Sequence, residues 1–189
     1  MINEKKWEKS SIISSKIGDS LINRVYYVDN LGSPKYKYKE ELSWESTMNK
    51  TCICIGFNPA KANACIDDTN ERIISKMLIS KYCGYTLLNI YPEITDKADM
   101  VHKTDKENVK FINYLINLLK TDKRDVLLFF GVSANVPVEF ANVINGIIDR
   151  VYISTLKGEF RHPGSLNSDY KMTKLENEYF RVSIRINNT

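Results

Sequence analysis

The chain has 189 residues, of which 43% are hydrophobic and 26% are charged, proportions that are ordinary for a soluble globular protein. No apolar stretch approaches the length of a transmembrane helix, and the N-terminus lacks the hydrophobic core of a signal peptide. We therefore expect a cytoplasmic protein with no membrane partner. The formal net charge of +4 is compatible with a polyanionic partner but does not indicate one.

Residues 1–50 predict one or two strands that precede the core and pack on it, with a hairpin across 30–33. Lysines and tyrosines alternate just after that turn, at Lys35, Tyr36, Lys37, Tyr38 and Lys39. The first interpretation is an edge strand that exposes its lysines to solvent. The alternative is a basic and aromatic surface that meets a nucleic-acid backbone.

From residue 51 onward, short apolar runs alternate with segments of helical periodicity. Strands are predicted over 51–56, 85–90, 125–130 and 151–153, and helices over 106–120, 136–146 and 170–180. Asp68 and Glu71 predict a capping box at the start of another helix, which ends near Gly84. This alternation predicts one α/β domain over 1–189, a three-layer α/β/α sandwich with a central, mainly parallel four-stranded sheet.

The four cysteines invite a metal or iron–sulfur interpretation. Cys52 and Cys54 fall inside a predicted core strand, whereas Cys65 and Cys83 are isolated, and the sequence has no Cys-x-x-Cys pair. Buried thiols are therefore the better interpretation. We expect neither a metal nor an organic cofactor.

Four short polar segments each follow an apolar run. They are Gly56-Phe57-Asn58-Pro59, Leu87-Leu88-Asn89, Phe129-Phe130-Gly131 and His162-Pro163-Gly164-Ser165. In open α/β sheets, ligands bind in the crevice beyond the carboxyl ends of the strands. The sequence therefore predicts that these segments converge on one ligand.

The order of these four segments resembles the signatures of the uracil-DNA glycosylase superfamily. A second resemblance, to a bacterial family of uncharacterised domains, covers nearly the whole chain. It rests on Tyr36, Tyr38, Trp44, the run 58–64, Asp67-Asp68-Thr69, Gly84-Tyr85 and His162-Pro163. The second family supports the fold and does not name an activity.

The glycosylase resemblance implies a role for each motif. Asn58 would orient the attacking water, and Asn89 would read the polar edge of a flipped pyrimidine. His162 would donate a hydrogen bond to the base carbonyl as the glycosidic bond breaks. Asp67 is the rival catalytic carboxylate, as general base or as counter-charge to the sugar cation, whereas Asp68 is better explained as a helix cap.

The remaining motif positions are expected to hold DNA. Phosphate contacts are expected from backbone amides, hydroxyls and one lysine, at Lys61, Gly131, Ser133, Gly164 and Ser165. Leu166 is the candidate wedge into the duplex. Phe57 is the candidate stacking ring. Ala60 stands where the superfamily's uracil enzymes carry a tyrosine that excludes a 5-methyl group, so the pocket is expected to accept a bulkier pyrimidine.

The expected function is a monofunctional DNA glycosylase that flips a modified, 5-substituted pyrimidine and hydrolyses its glycosidic bond. The expected partner is DNA, with no obligate protein partner, and the role is either defence against phages with modified DNA or repair. Two alternatives remain open. One is a non-catalytic nucleotide or nucleic-acid binder, which Asn58 in place of a carboxylate permits; the other is a hydrolase or transferase acting on a free nucleotide.

Overall fold

A computed structural model of the protein describes residues 4–17, 20–59, 69–95, 97–131, 135–163, 169–176 and 185–187. The helices are α1 (Thr69–Leu78), α2 (Lys106–Thr121) and α3 (Val138–Gly146). The strands are β1 (Glu8–Ile17), β2 (Ser20–Val28), β3 (Lys37–Trp44), β4 (Cys52–Gly56), β5 (Gly84–Asn89), β6 (Val126–Leu128), β7 (Asn135–Pro137), β8 (Val151–Leu156), β9 (Glu159–Phe160), β10 (Lys171–Lys174) and β11 (Arg185–Asn187). None of the helices described is long and apolar enough to cross a membrane.

Nine of the described strands form one mixed sheet, in the order β1-β2-β3-β5-β4-β6-β8-β10, with β9 paired to β8. Its centre is parallel, because β4 pairs in parallel with both β5 and β6, and β6 pairs in parallel with β8. Every residue of β4, β5 and β6 is buried, which is why these strands are apolar with little alternation. The predicted α/β class and parallel core are confirmed.

The sheet is wider than the four predicted strands. Strands β1, β2 and β3 continue it on one side, through the antiparallel pairing of β3 with β5. The predicted hairpin is confirmed as the β2–β3 turn. A smaller parallel pair is formed by β7 and β11.

Successive residues of β4 contribute to two different hydrophobic clusters. Cys52 and Cys54 pack in the cluster that contains Ile74 and Leu78 of α1, which we call the α1 cluster. Ile53 and Ile55 pack in the larger cluster that contains the buried residues of α2 and α3, which we call the α2–α3 cluster. Since side chains along a strand point alternately to opposite faces, the two clusters lie on opposite faces of β4. The predicted burial of Cys52 and Cys54 is confirmed.

The helix predicted over 170–180 is wrong where it can be checked. Lys171–Lys174 is a strand that pairs antiparallel with β8 at the end of the sheet. Thr173 lies diagonally across from Thr155 of β8 with their hydroxyls 2.7 Å apart, a cross-strand contact of the kind that stabilises sheets. Residues 177–180 lie outside the described part of the chain.

The predicted edge strand with solvent-facing lysines is also wrong. β3 lies inside the sheet, between β2 and β5. The β2–β3 register shifts so that Tyr38 is an extra residue, and such a bulge redirects the neighbouring side chains. The ammonium of Lys37 consequently lies 2.9 Å from Glu40 and 3.7 Å from Glu71 rather than in open solvent.

A buried ionic network joins β2, β3 and α1. The guanidinium of Arg24 lies 2.9 Å from Glu40 and 2.6 Å from Glu71, and all three side chains are almost completely buried. Glu71, predicted to close a capping box with Asp68, instead places its carboxyl group against Arg24, while Asp68 lies outside the described residues. Burial and the neighbouring Glu40 raise the pKa of Glu71 to about 8, against the opposing effect of Lys37 and Arg24.

This raised pKa predicts a pH-dependent stability that the substitution Glu71→Gln removes. The folded state holds the Glu71 proton that the unfolded state releases above its ordinary pKa. The wild-type chain should therefore lose stability relative to Glu71→Gln as the pH rises from 5 to 8, by on the order of a few kcal/mol. Thermal unfolding at the two pH values measures this difference. Glu45→Gln, at an exposed carboxylate, is the control. If the stability of Glu71→Gln changes with pH in parallel with that of wild type, the raised pKa of Glu71 is contradicted.

Candidate functional site

The chain reverses its direction of winding at strand β4. From β4 it passes through α1 to β5 on one side, and from β5 it passes through α2 to β6 on the other side of β4. The neighbouring strands β4 and β6 therefore send their connections away from each other, β4 to β5 and β6 to β8, and a crevice opens at their carboxyl ends. Such a switch point is where open α/β sheets bind ligands.

Gly56, the last residue of β4, lets two side chains approach that crevice. A Cβ atom at this position would lie 2.4 Å from Oδ1 of Asn89 and 2.7 Å from Cζ of Phe129. Real Cβ atoms do not approach other atoms so closely, so only glycine fits while Asn89 and Phe129 keep their positions. The ends of β4 and β5 and the residue after β6 thus meet at one place.

The side-chain amide of Asn89 is the most informative group in this crevice. Asn89 is only 5% exposed. Nevertheless, its amide forms no hydrogen bond with any residue in the described part of the chain. Neither polar atom of this amide is among the fully enclosed unpaired side-chain atoms of the described residues, so the amide is open to the crevice. An amide kept in this state offers a donor and an acceptor to a ligand.

Gly131 and His162 form the next wall. Gly131 has a φ of +76°, in the left-handed region that favours glycine. A Cβ atom there would lie 3.0 Å from the backbone nitrogen of His162. The His162 ring is exposed and lies 6.1 Å from the ring of Phe129 between centroids. We use "the crevice" for the set Gly56, Asn89, Phe129, Gly131 and His162.

The loop after β4 is held by Thr95. The Asn58 amide nitrogen donates to Thr95 Oγ1 at 2.9 Å and to the Thr95 carbonyl at 3.2 Å, and the Thr95 backbone nitrogen donates to the Pro59 carbonyl. These bonds use the donor side of the Asn58 amide. Its Oδ1 accepts no hydrogen bond from the described residues, so the acceptor side of this half-buried side chain is available to a water molecule.

Phe57 and Phe129 lie on different sides of the sheet. Phe57 packs in the α2–α3 cluster, 5.2 Å from the ring of Tyr91 and beneath the ammonium of Lys103. Phe129 packs in the α1 cluster, beside Gly56. The ring that the structure brings to Asn89 is therefore that of Phe129, to which the sequence analysis assigned no role. The sequence clue that could have identified Phe129 is its place in the Phe129-Phe130-Gly131 motif.

Thus, the structure brings together Asn89, Gly131 and His162 of the predicted site residues, and it fixes Asn58 on the adjoining loop. Thr95, which holds Asn58, carried no signal in the sequence. Seven predicted site residues lie outside the described part of the chain: Ala60, Lys61, Asp67, Ser133, Gly164, Ser165 and Leu166. Among the residues that are described, no group of three or more His, Cys, Asp or Glu side chains could hold a metal ion.

Comparison with known proteins gives a family without an assigned activity. No curated protein matches the chain. The family described as "protein of unknown function (DUF1643)" matches residues 39–163, from β3 to the His162-Pro163 pair. This span is more than half of the chain and contains every residue of the crevice. The protein therefore belongs to the DUF1643 family.

Proposed function

We propose that the protein is a monofunctional DNA glycosylase of the uracil-DNA glycosylase type, which flips a modified pyrimidine into the crevice and hydrolyses its glycosidic bond. The observation that carries this proposal is the unpaired amide of Asn89 at the switch point of the sheet. A pyrimidine edge presents alternating acceptors and donors, which an amide matches with one N–H and one oxygen. The ring of Phe129 beside it is suited to stacking on a base.

The fold proposed with this function is a three-layer α/β/α sandwich. Its support is the division of the core into the α1 cluster and the α2–α3 cluster, which use alternate residues of β4. In such an arrangement, the carboxyl edge of the sheet is the surface left open for a large ligand. The sheet edge and its loops would then face the DNA.

The proposed reaction divides between the two sides of the scissile bond. Asn58, held by Thr95, orients a water molecule toward C1′ of the flipped nucleotide through its Oδ1. The water oxygen bonds to C1′ as the bond from C1′ to the base breaks, and the bonding electrons leave with the base. His162 stabilises the resulting negative charge by donating to the base carbonyl. The proton that the water loses neutralises the base anion. The products are an abasic site and the free base.

The proposed substrate class is a 5-substituted pyrimidine. It rests on Ala60, which follows Pro59 at the position where the uracil enzymes place a tyrosine. An alanine leaves a ring's volume open beside the 5-position. Such bases occur in phage DNA, so the proposed role is defence by excision from invading genomes, with repair as the alternative.

A second candidate is a nucleotide or nucleic-acid binder without hydrolysis. The observation that favours it is that Asn58 presents a neutral amide oxygen, which is a poor base compared with a carboxylate. The same crevice would then hold a base without cleaving it. Formation of abasic sites separates the two candidates.

The direct test is to incubate the protein with DNAs that carry uracil, thymine, or different 5-substituted pyrimidines and to measure abasic sites. We expect abasic sites with at least one pyrimidine that carries a bulky 5-substituent. Tight binding to such DNA without abasic sites favours the binder.

Asn58→Ala should abolish excision while the fold and most of the DNA affinity are kept. The water loses its orienting acceptor, and losses of this kind are about a hundredfold or more. Single-turnover excision and DNA binding measure the two effects, with Asn113→Ala on the exposed face of α2 as control. Activity within a few-fold of wild type removes Asn58 from the mechanism and makes Asp67 the first candidate.

Ala60→Tyr should narrow the proposed pocket beside the 5-position. We expect loss of activity on bulky 5-substituted pyrimidines, with any uracil activity kept or improved, because only the substituent meets the new ring. Relative excision rates on the two substrates measure this. Unchanged activity on the bulky base contradicts the open pocket.

His162→Ala should reduce the chemical rate more than the affinity. The charge that His162 stabilises develops on the base only as the bond breaks, so removing the donor lowers the rate. Loss of one such donor costs on the order of 3 kcal/mol, or roughly a hundredfold in single-turnover rate. If binding at fixed salt collapses while the rate is preserved, His162 has a different role.

A further inference from the structure

A second histidine is held in a fixed orientation beside the Asn58 loop. The ring of His102 lies with Nδ1 2.7 Å from Oε1 of Glu93, and the backbone nitrogen of His102 donates to Oε2 of the same carboxylate at 2.8 Å. The amide of Asn108 donates to that Oε2 as well, at 2.9 Å. The Glu93 side chain is 4% exposed, whereas that of His102 is 76% exposed.

Glu93 is built to remain ionised beneath this ring. Burial alone raises the pKa of Glu93, but the hydrogen bonds from His102 and Asn108 outweigh burial and hold the pKa below its ordinary value. A carboxylate bonded to Nδ1 fixes the orientation of the ring. With Nδ1 turned inward to Glu93, Nε2 is at the exposed end of the ring.

The pair lies on the opposite side of the Asn58 loop from the crevice. Thr95, which holds Asn58, is two residues after Glu93 in the segment that follows β5. Lys103, the neighbour of His102, places its ammonium 5.9 Å from the ring centre of Phe57. Phe57 packs in the α2–α3 cluster, whereas the crevice adjoins the α1 cluster.

This edge carries one ammonium group and one imidazole nitrogen that the described residues leave available. The ammonium of Lys103 forms no ion pair with any residue in the described ranges. The Nε2 of His102 has no hydrogen-bond partner among those residues either. A lysine beside a histidine whose outer nitrogen donates a proton is suited to one anionic oxygen ligand such as a phosphate.

We propose that His102 and Lys103 bind one phosphate of the DNA strand, on the side of the Asn58 loop opposite Gly131 and His162. The inference rests on the proposed function. When both nitrogens of the His102 ring carry protons, Nε2–H donates to a phosphate oxygen, Lys103 contributes its charge, and Glu93 acts as a positioning residue. A strand held on both sides of the loop would present the nucleotide between them to the crevice.

The test compares His102→Gln and Lys103→Gln with Lys81→Gln in the same DNA-binding titrations. Lys81 is exposed in the turn before β5, at the opposite edge of the sheet, so the control removes the same charge away from the site. At low salt we expect a loss of roughly 3- to 10-fold in affinity for His102→Gln and for Lys103→Gln, which we call the clamp variants. Each should also lower the slope of log affinity against log salt by about one, whereas Lys81→Gln changes neither.

A neutral methylphosphonate placed at single linkages of the oligonucleotide identifies the phosphate. At one linkage near the target base, the substitution should weaken wild-type binding and cause no further loss in the clamp variants, because the two changes remove the same contact. Additive losses at every linkage contradict a direct contact. The clamp variants are also compared with wild type for binding to a nucleoside 5′-monophosphate. If their affinity for it falls by the same factor as their affinity for DNA, the assignment to a nucleic-acid strand is overturned.

Two results separate this inference from the proposed function. A wild-type chain that binds no DNA overturns both. A wild-type chain that binds and excises, together with clamp variants that match Lys81→Gln in affinity and salt slope, overturns the phosphate site alone. His102 and Lys103 are both at least partly exposed, so we expect both variants to fold. A thermal unfolding temperature near that of wild type confirms that any loss of DNA affinity is not a folding defect.

Discussion

The absence of a side chain at Gly56 is the constraint on which the site depends. It lets the Asn89 amide and the Phe129 ring occupy the end of β4, at the point where the chain changes its winding direction. Any larger residue would displace one of them. The two hydrophobic clusters enclose the parallel strands on both faces and fix the positions of these groups.

The charged network on the α1 face supports the same edge of the sheet. Glu40 pairs in register with Leu87, two residues before Asn89, and its carboxylate is neutralised by Arg24 and Lys37. The bulge at Tyr38 is what places Lys37 on this face. The network therefore joins β2, β3 and α1 next to the end of β5, where a rigid frame would keep Asn89 in place for a ligand.

Strand periodicity explains how much of this could be predicted from the sequence. The buried core strands were predictable because their apolar runs are continuous, and the convergence of Asn89, Gly131 and His162 followed from their positions at strand ends. β10 was missed because Lys171–Lys174 is short and half-exposed, with no apolar periodicity. The pairing of Glu93 with His102 could not be predicted, because the segment between them is irregular and has no periodic pattern.

A crystal structure of the protein with a bound pyrimidine base, or with DNA that carries an abasic product and the free base, tests the central claim most directly. The account predicts that the base lies in the crevice, with its polar edge hydrogen-bonded to the Asn89 amide, its ring against Phe129 and a carbonyl toward His162. A base bound elsewhere, or an Asn89 amide that contacts no ligand in the complex, would contradict it.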